Sequence, residues 1–275
     1  MLAVAVAPAS AGAEDDAPDA PRNSIIVTGE RVSELAQEDK TGSRLGLTPL
    51  ETPASVATLD GDAIRARGDQ SVQAAVTRAP GVTNSSNPGN ANSSYVMRGF
   101  GGAISVLQLY DGVRLYPVAD SISFPTDPWN IDRVEVLSGP ASVLYGHGAL
   151  GGAINVVPKS PNMNRFEFQG EAGYGSQDTW HIAGGVGGPI GPSLGFRADA
   201  SYRQSDGYVD RGDSDSLALS GALKFQPSET FSLTVRGDYG NVHPQKYFGT
   251  PLVGSRLDTS IRHNNYNVGD AILHF

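Results

Sequence analysis

Between Gly146 and Gly151 the chain reads GHGALG, which fits G-x-G-x-x-G, the turn that cradles a dinucleotide pyrophosphate. Glu171 stands about 20 residues further on, where a ribose-binding acid belongs. Such a site needs a strand before the glycines and a helix opening at the last one, because the pyrophosphate rests on that helix's N-terminus. Here Gly151 is followed by Gly152-Ala153-Ile154-Asn155-Val156-Val157-Pro158, a β-branched run closed by proline, which predicts a strand. Glu171 falls on an alternating pattern outside any βαβ unit. The residue types for dinucleotide binding are present in the wrong context. A phosphate-binding P-loop fails too, since no Gly-Lys-Ser/Thr follows.

Other chemistry-bearing residues are sparse. His147, His181, His243, His263 and His274 lack H-x-x-x-H spacing, which argues against histidine-based zinc catalysis. There is no cysteine, hence no thiolate chemistry and no disulfide framework. No G-x-S-x-G elbow is visible, Ser138-Gly139 reads as a turn, and no pair of acids has a spacing that singles out general acid–base work. The formal net charge of −9 argues against nucleic acid as a partner. The sequence thus predicts no enzyme, no catalytic residue, no metal site and no directly bound cofactor.

The elements that would position these residues fall into three textures. Leu2 to Ala7 is a short apolar patch followed by small-x-small cleavage patterns, so residues 1–13 read as a signal-peptide remnant lacking its basic start, or else as an Ala/Pro leader. Residues 14–47 read as a disordered, acidic and proline-rich leader. Inside it, Ser24-Ile25-Ile26-Val27-Thr28-Gly29 is an isolated β-favouring island. It suits either strand addition to a partner's sheet edge or the first strand of the next domain.

From Thr48 ordered structure is expected. Ala54–Leu59 reads as a strand, Asp62–Arg67 as a short helix, and Ser71–Arg78 as a second helix with Asp69 as N-cap and Pro80-Gly81 as stop. Asn84–Ser94 is a polar loop. In SVLQLYDGVRLYP, Asp111-Gly112 between two strand-like runs signals a type I′ hairpin. Ile131–Leu137 is a further strand with Arg133 and Glu135 on one face.

From Arg165 the texture changes to runs of about ten alternating residues, long enough to cross a bilayer's apolar band when tilted. Leu194, Phe196, Ala198, Ala200 and Tyr202 oppose Arg197, Asp199, Ser201 and Arg203. Arg165–Tyr174, Leu217–Phe225 and Phe231–Tyr239 repeat the scheme, while Trp180–Gly188 is glycine-rich and Asn264–Phe275 slips phase near Asp270. Short connections alternate with long ones, and aromatics sit at strand ends, as in an outer-membrane barrel; a soluble sandwich would also alternate, but with tight turns at both ends. No run of 18 or more apolar residues predicts a membrane-spanning helix.

Several stretches together resemble one family. NIDRVEVLSGPASVLYGHGALGGAINVVPKSP (Asn130–Pro161), VMRGFGG (Val96–Gly102), YDGVRL (Tyr110–Leu115) and Pro80-Gly81-Val82 are similar, in order, to the plug domain of TonB-dependent outer-membrane receptors, most closely the siderophore branch. Ser24–Gly29 resembles the TonB box. The resemblance implies an α+β plug domain, a small mixed sheet with short helices, over residues 48–160. Antiparallel transmembrane β-barrel strands over 161–275 would follow, in a barrel of roughly 22 strands. It implies uptake of a ferric siderophore, with another scarce ligand such as cobalamin, haem or carbohydrate, or a non-transporting periplasmic binding module, as alternatives. The partners implied are TonB, the ligand carrying Fe(III), and outer-membrane lipid; the location is the outer membrane of a Gram-negative bacterium, with plug and TonB box facing the periplasm.

Carried over by position, Ser24, Ile25, Ile26, Val27 and Thr28 would bind TonB. Arg98 and Arg133, with Glu135, would anchor plug to barrel, the arginines pairing with glutamates beyond Phe275; the alternative for each arginine is a solvated or locally paired charge. Ligand contact would fall to the apical loops, represented by Asn87, Gly102, Arg114 and Tyr116, although Tyr116 could as well pack against the barrel. The glycines 146, 148, 151 and 152 become backbone devices in a crowded plug. About six strands cannot close a barrel, whose practical minimum is eight, so the chain is expected to be a truncated receptor that does not transport by itself.

Overall fold

The structure is a computed structural model that describes residues 41–42, 47–48, 50–52, 54–86, 93–102, 104–116, 127–245 and 252–257. In chain order the N-terminal domain contains β1 (Ser55–Asp60), α1 (Gly61–Ala66), α2 (Val72–Val76), β2 (Val82–Asn84), β3 (Tyr95–Met97) and β4 (Phe100–Gly101). It continues with β5 (Val106–Tyr110), β6 (Val113–Arg114), a 3-10 turn (Pro128–Asn130), β7 (Ile131–Ser138), α3 (Ser142–Tyr145) and β8 (Gly152–Pro158). Five long strands follow: β9 (Glu167–Tyr174), β10 (Trp180–Pro189), β11 (Leu194–Ser205), β12 (Ser214–Ser228) and β13 (Phe231–His243). A small hairpin, β14 (Leu252–Val253) and β15 (Arg256–Leu257), comes last among the described elements.

The N-terminal sheet has the order β1-β7-β8-β5-β6, with β5 and β8 parallel and the other pairs antiparallel. It is the small mixed sheet with short helices that the sequence predicted. Ile64, Val72 and Val76 from the helices pack with Val106, Val134, Val136, Ile154 and Val156 on one face. Leu107, Leu109, Leu137, Ala149 and Ala153 form a second cluster. The central strands are therefore covered on both sides, and every side chain of VEVL and AINVV is buried, the polar Glu135 and Asn155 included.

Local signals account for the element ends. Asp60 caps α1, its Oδ1 accepting from the Ala63 amide at 3.0 Å. The expected cap of α2 is corrected: Ser71, which immediately precedes the helix, accepts from the Ala74 amide at 3.1 Å. Asp69 is instead buried, its carboxylate taking Arg67 Nε at 3.1 Å and Arg78 Nε at 3.4 Å. The Asp111-Gly112 turn has φ of 48° and 79°, the paired positive values of a type I′ hairpin.

The glycine-rich stretch leads into strand β8, as its β-branched sequel predicted, with the short α3 before it. At Gly148 φ is +93° and a Cβ would stand 2.5 Å from the Ile104 carbonyl oxygen. The glycine is there because two backbone segments cross at that point.

The second sheet has the order β13-β12-β11-β10-β9, antiparallel throughout, and remains open among the described residues. The alternation read from sequence sets its two faces. Arg197, Asp199 and Ser201 of β11 and His181 and Ala183 of β10 are buried, whereas Ile182, Phe168, Leu223, Phe231, Leu233, Val235 and Tyr239 are exposed. Polar side chains inside and apolar ones outside is the reverse of a soluble sheet, and it suits a wall whose outer solvent is lipid. The predicted strand Asn264–Phe275 lies outside the described residues.

Candidate functional site

The β5–β6 hairpin brings together two of the residues predicted to meet a ligand, Arg114 and Tyr116. Arg114 closes β6, and its Nη1 donates to the His147 carbonyl at 2.9 Å. Its guanidinium carbon lies 5.1 Å from the centre of the Tyr116 ring, a cation–π contact. Tyr116 is 75% exposed. Gly102 (φ +90°) turns the neighbouring loop, its carbonyl accepting from the Ser105 and Val106 amides at 3.1 Å each. The 146–151 loop ties both together, with the Ala149 amide on Ile104 O at 3.1 Å and the Gly151 amide on Ser105 O at 3.0 Å. The GHGALG stretch thus supports Arg114 through a backbone carbonyl. Asn87 and the Ser24–Thr28 island lie outside the described residues.

Beneath the hairpin is a buried acid. Arg133 and Glu135 share one face of β7, and Arg133 Nε donates to Glu135 Oε1 at 2.8 Å. The other carboxylate oxygen accepts from the Thr41 hydroxyl and from Asn155 Nδ2, the latter at 3.3 Å. Asn155 Oδ1 in turn accepts the Gly112 amide at 2.9 Å, at the hairpin turn. Glu135 and Thr41 are both fully buried, and the Tyr145 hydroxyl donates to the Thr41 carbonyl at 3.1 Å. Thr41 falls in the span the sequence assigns to the leader, yet it docks into this domain. A carboxylate taken out of water needs such donors.

Arg133 also donates to Asp132 at 2.8 Å, so its partners in the structure belong to its own strand. Arg98 occupies an exposed turn with φ 51°, its Nη1 3.1 Å from where a Cβ on Gly139 would stand. Among the described residues no ion pair holds it.

A third cluster, which sequence reading did not single out, joins the N-terminal domain to the inward face of the second sheet. Trp129 Nε1 donates to the Gly184 carbonyl at 3.2 Å. Asp127 accepts from the Trp129 amide at 2.8 Å and from the Ser201 hydroxyl at 2.9 Å. Lys159 Nζ donates to Gln169 at 2.9 Å, lies 3.6 Å from Asp199, and sits 4.2 Å from the Trp129 ring centre. Arg236 Nη1 donates to the Lys159 carbonyl at 2.7 Å, and the Tyr110 hydroxyl bonds Asp238. Burial first, then the Arg65 guanidinium, hold the Lys159 ammonium down to about 8, against the pull of Asp199. Burial and Asp238 push the Tyr110 phenol well above its usual range.

In the same seam His181 Nε2 lies 3.0 Å from Ser201 Oγ, and His181 Nδ1 lies 3.4 Å from Glu171. The order Ser–His–Glu is that of a hydrolytic triad. However, Ser201 gives its one proton to Asp127 and is 2% exposed, so the group ties wall to domain and offers no accessible nucleophile. The signal for this seam was the polar phase of β11, which places Arg197, Asp199 and Ser201 on one face without saying what meets them.

Residues 48–153 match the family described as TonB-dependent Receptor Plug Domain. The chain is 33% identical over 241 residues to the ferripyoverdine receptor of Pseudomonas aeruginosa, covering 82% of this chain and 28% of that one. It is 37% identical over 134 residues to the vitamin B12 transporter of Vibrio vulnificus, covering 46% of this chain and 22% of the transporter. The solved pyoverdine outer membrane receptor of P. aeruginosa PAO1, bound to pyoverdine, superposes with a TM-score of 0.74 at 29% identity, over 87% of this chain and 35% of that one. The chain therefore spans less than a third of the length of these two curated relatives.

Proposed function

From a chain whose residues 48–153 match the plug-domain family of TonB-dependent receptors, we propose the N-terminal part of an outer-membrane receptor that imports a ferric siderophore, energised through TonB. One observation carries the reading: a plug domain seated on the polar face of an antiparallel sheet whose other face is apolar. A sheet with that polarity belongs between lipid and a polar lumen. The siderophore preference is supported by the ferripyoverdine and pyoverdine receptors, which this chain resembles over most of its length. No catalytic step enters this reading.

In mechanism, the ligand meets the plug at Tyr116 and Arg114, where an exposed ring backed by a cation offers stacking and charge to an anionic chelate. The outer membrane has no energy source of its own. Ser24–Thr28 then serves as a handle for strand addition to TonB, so that grip under load needs no deep pocket. The seam at Trp129, Asp127 and Lys159 holds the plug against the wall between cycles. Glu135 holds Arg133 within the plug, and Arg98 stands exposed where the wall could meet it.

The test uses the full-length gene and radiolabelled iron on a panel of siderophores, with cyanocobalamin as comparison. Ile26→Pro or Val27→Pro is expected to abolish uptake while binding persists; uptake unchanged in both variants would sink the energy-coupling role. Vitamin B12 uptake is a second reading, favoured by the 37% identity with the Vibrio vulnificus transporter. Transport of cyanocobalamin with no iron uptake would select it.

A further inference from the structure

We propose that Glu135 is a mechanical relay, through which withdrawal of the chain at Thr41 loosens the ligand-facing hairpin at Gly112. The inference rests on the reading of the leader as the pulled handle and of the hairpin as the ligand contact. Four residues distant in sequence are linked in one line: the Thr41 hydroxyl and Asn155 Nδ2 on Glu135 Oε2, and Asn155 Oδ1 on the Gly112 amide.

Donor supply gives the line its direction. Arg133 Nε occupies Glu135 Oε1, so Oε2 depends on Thr41 and Asn155. The Asn155 bond, at 3.3 Å, is at the long end of the useful range. Removing the Thr41 hydroxyl leaves a fully buried carboxylate oxygen short of donors, a costly state that is relieved by drawing Asn155 closer or admitting water. Asn155 carries its donor and its acceptor on one planar amide. Turning that amide towards Glu135 takes Oδ1 away from Gly112.

The hairpin turn is well placed to feel this loss. Tyr110, just before it, holds Asp238 of the wall, and Arg114 and Tyr116 follow it. A pull that extracts Thr41 would therefore free the segment bearing the ligand contact from below, while the Arg133–Glu135 pair stays in place. Tyr145, whose hydroxyl holds the Thr41 carbonyl, supplies a second grip on the same residue.

Amide hydrogen exchange on the full-length receptor in detergent micelles, without ligand or TonB, tests the relay. Thr41→Val is expected to speed exchange at Gly112 by about tenfold, with Val72–Val76 unchanged, and Thr41→Ser to restore protection. Asn155→Ala should make Gly112 exchange fast by itself, so that adding Thr41→Val changes nothing further. Unaltered Gly112 exchange in Thr41→Val, equal acceleration of Val72–Val76, or additive effects in the double variant would each overturn the relay. Because the measurement needs neither ligand nor TonB, its failure leaves the uptake reading standing. Loss of the uptake reading, in turn, would leave these exchange rates as they are.

Discussion

Gly185 and Asp199 face each other across the β10–β11 ladder with no room between them: a Cβ on Gly185 would stand 2.1 Å from Asp199 Oδ1. The space is taken by the Arg197–Asp199 pair, whose two hydrogen bonds of 2.7 and 2.6 Å lie over the glycine. Gly185→Val should therefore destabilise the folded receptor by about 1–3 kcal/mol. Its neighbour Gly184 has nothing nearer than 4.0 Å, and Gly184→Ala should be close to neutral. Thermal unfolding followed by heat-modifiable gel mobility separates the two; equal melting temperatures would contradict the crowding argument.

Lys159 predicts a pH response of the plug–wall seam. Its ammonium is held down to about 8 in the seam against an ordinary 10.5, so the released lysine binds a proton that the docked one does not across that window. Docking then strengthens as pH rises from about 8 to 10.5, by up to about 1.4 kcal/mol per pH unit, and the cost of the buried charge is fully present below 8. Because the ammonium sits over Trp129, a fluorotryptophan resonance assigned by Trp129→Phe should titrate near pH 8. Lys159→Met should abolish both the titration and the pH dependence.

Ser201→Ala removes one of the donors to Asp127 and leaves a buried carboxylate oxygen bare. The expected cost is about 1.5–3 kcal/mol, taken from the contact between plug and wall. Limited proteolysis around the 3-10 turn should quicken, while the melting of the barrel itself changes little. A variant as protease-resistant as the parent would show that the Asp127–Ser201 bond does not hold the turn to the sheet.

Arg114 backs the Tyr116 ring and is itself fixed by the His147 carbonyl. Arg114→Ala should weaken binding of the ferric ligand by about tenfold, and Tyr116→Ala by at least as much. Arg114→Lys should restore only part, because an ammonium cannot both donate to His147 and lie flat beneath the ring. Equilibrium titration of the full-length protein with a ferric siderophore reads all three; full affinity in Arg114→Ala would remove the hairpin from the proposed ligand site.

Much of this was legible in the sequence because period and turn chemistry are local. The alternation from Leu194 to Tyr202 assigned each side chain of β11 its face, and Asp111-Gly112 assigned the turn. The run after Gly151 identified β8 as a strand and removed the nucleotide reading. What could not be read was pairing across distance. Nothing near Glu135 in the sequence points to Thr41 or Asn155, and Trp129 gives no hint of the Gly184 carbonyl. The Asp69 cap was misplaced for a related reason, since the side chains that claim Asp69 come from either side of the helix that Ser71 begins.

The seam between plug and wall has a further consequence. Many of its contacts among the described residues are polar: Asp127 with Ser201, Lys159 with Gln169, Arg236 with the Lys159 carbonyl. Such contacts exchange for water at small net cost, whereas a greasy interface would have to expose apolar area to part. A seam of this kind can part by taking on water at its polar contacts, at a smaller cost than exposing apolar area would carry.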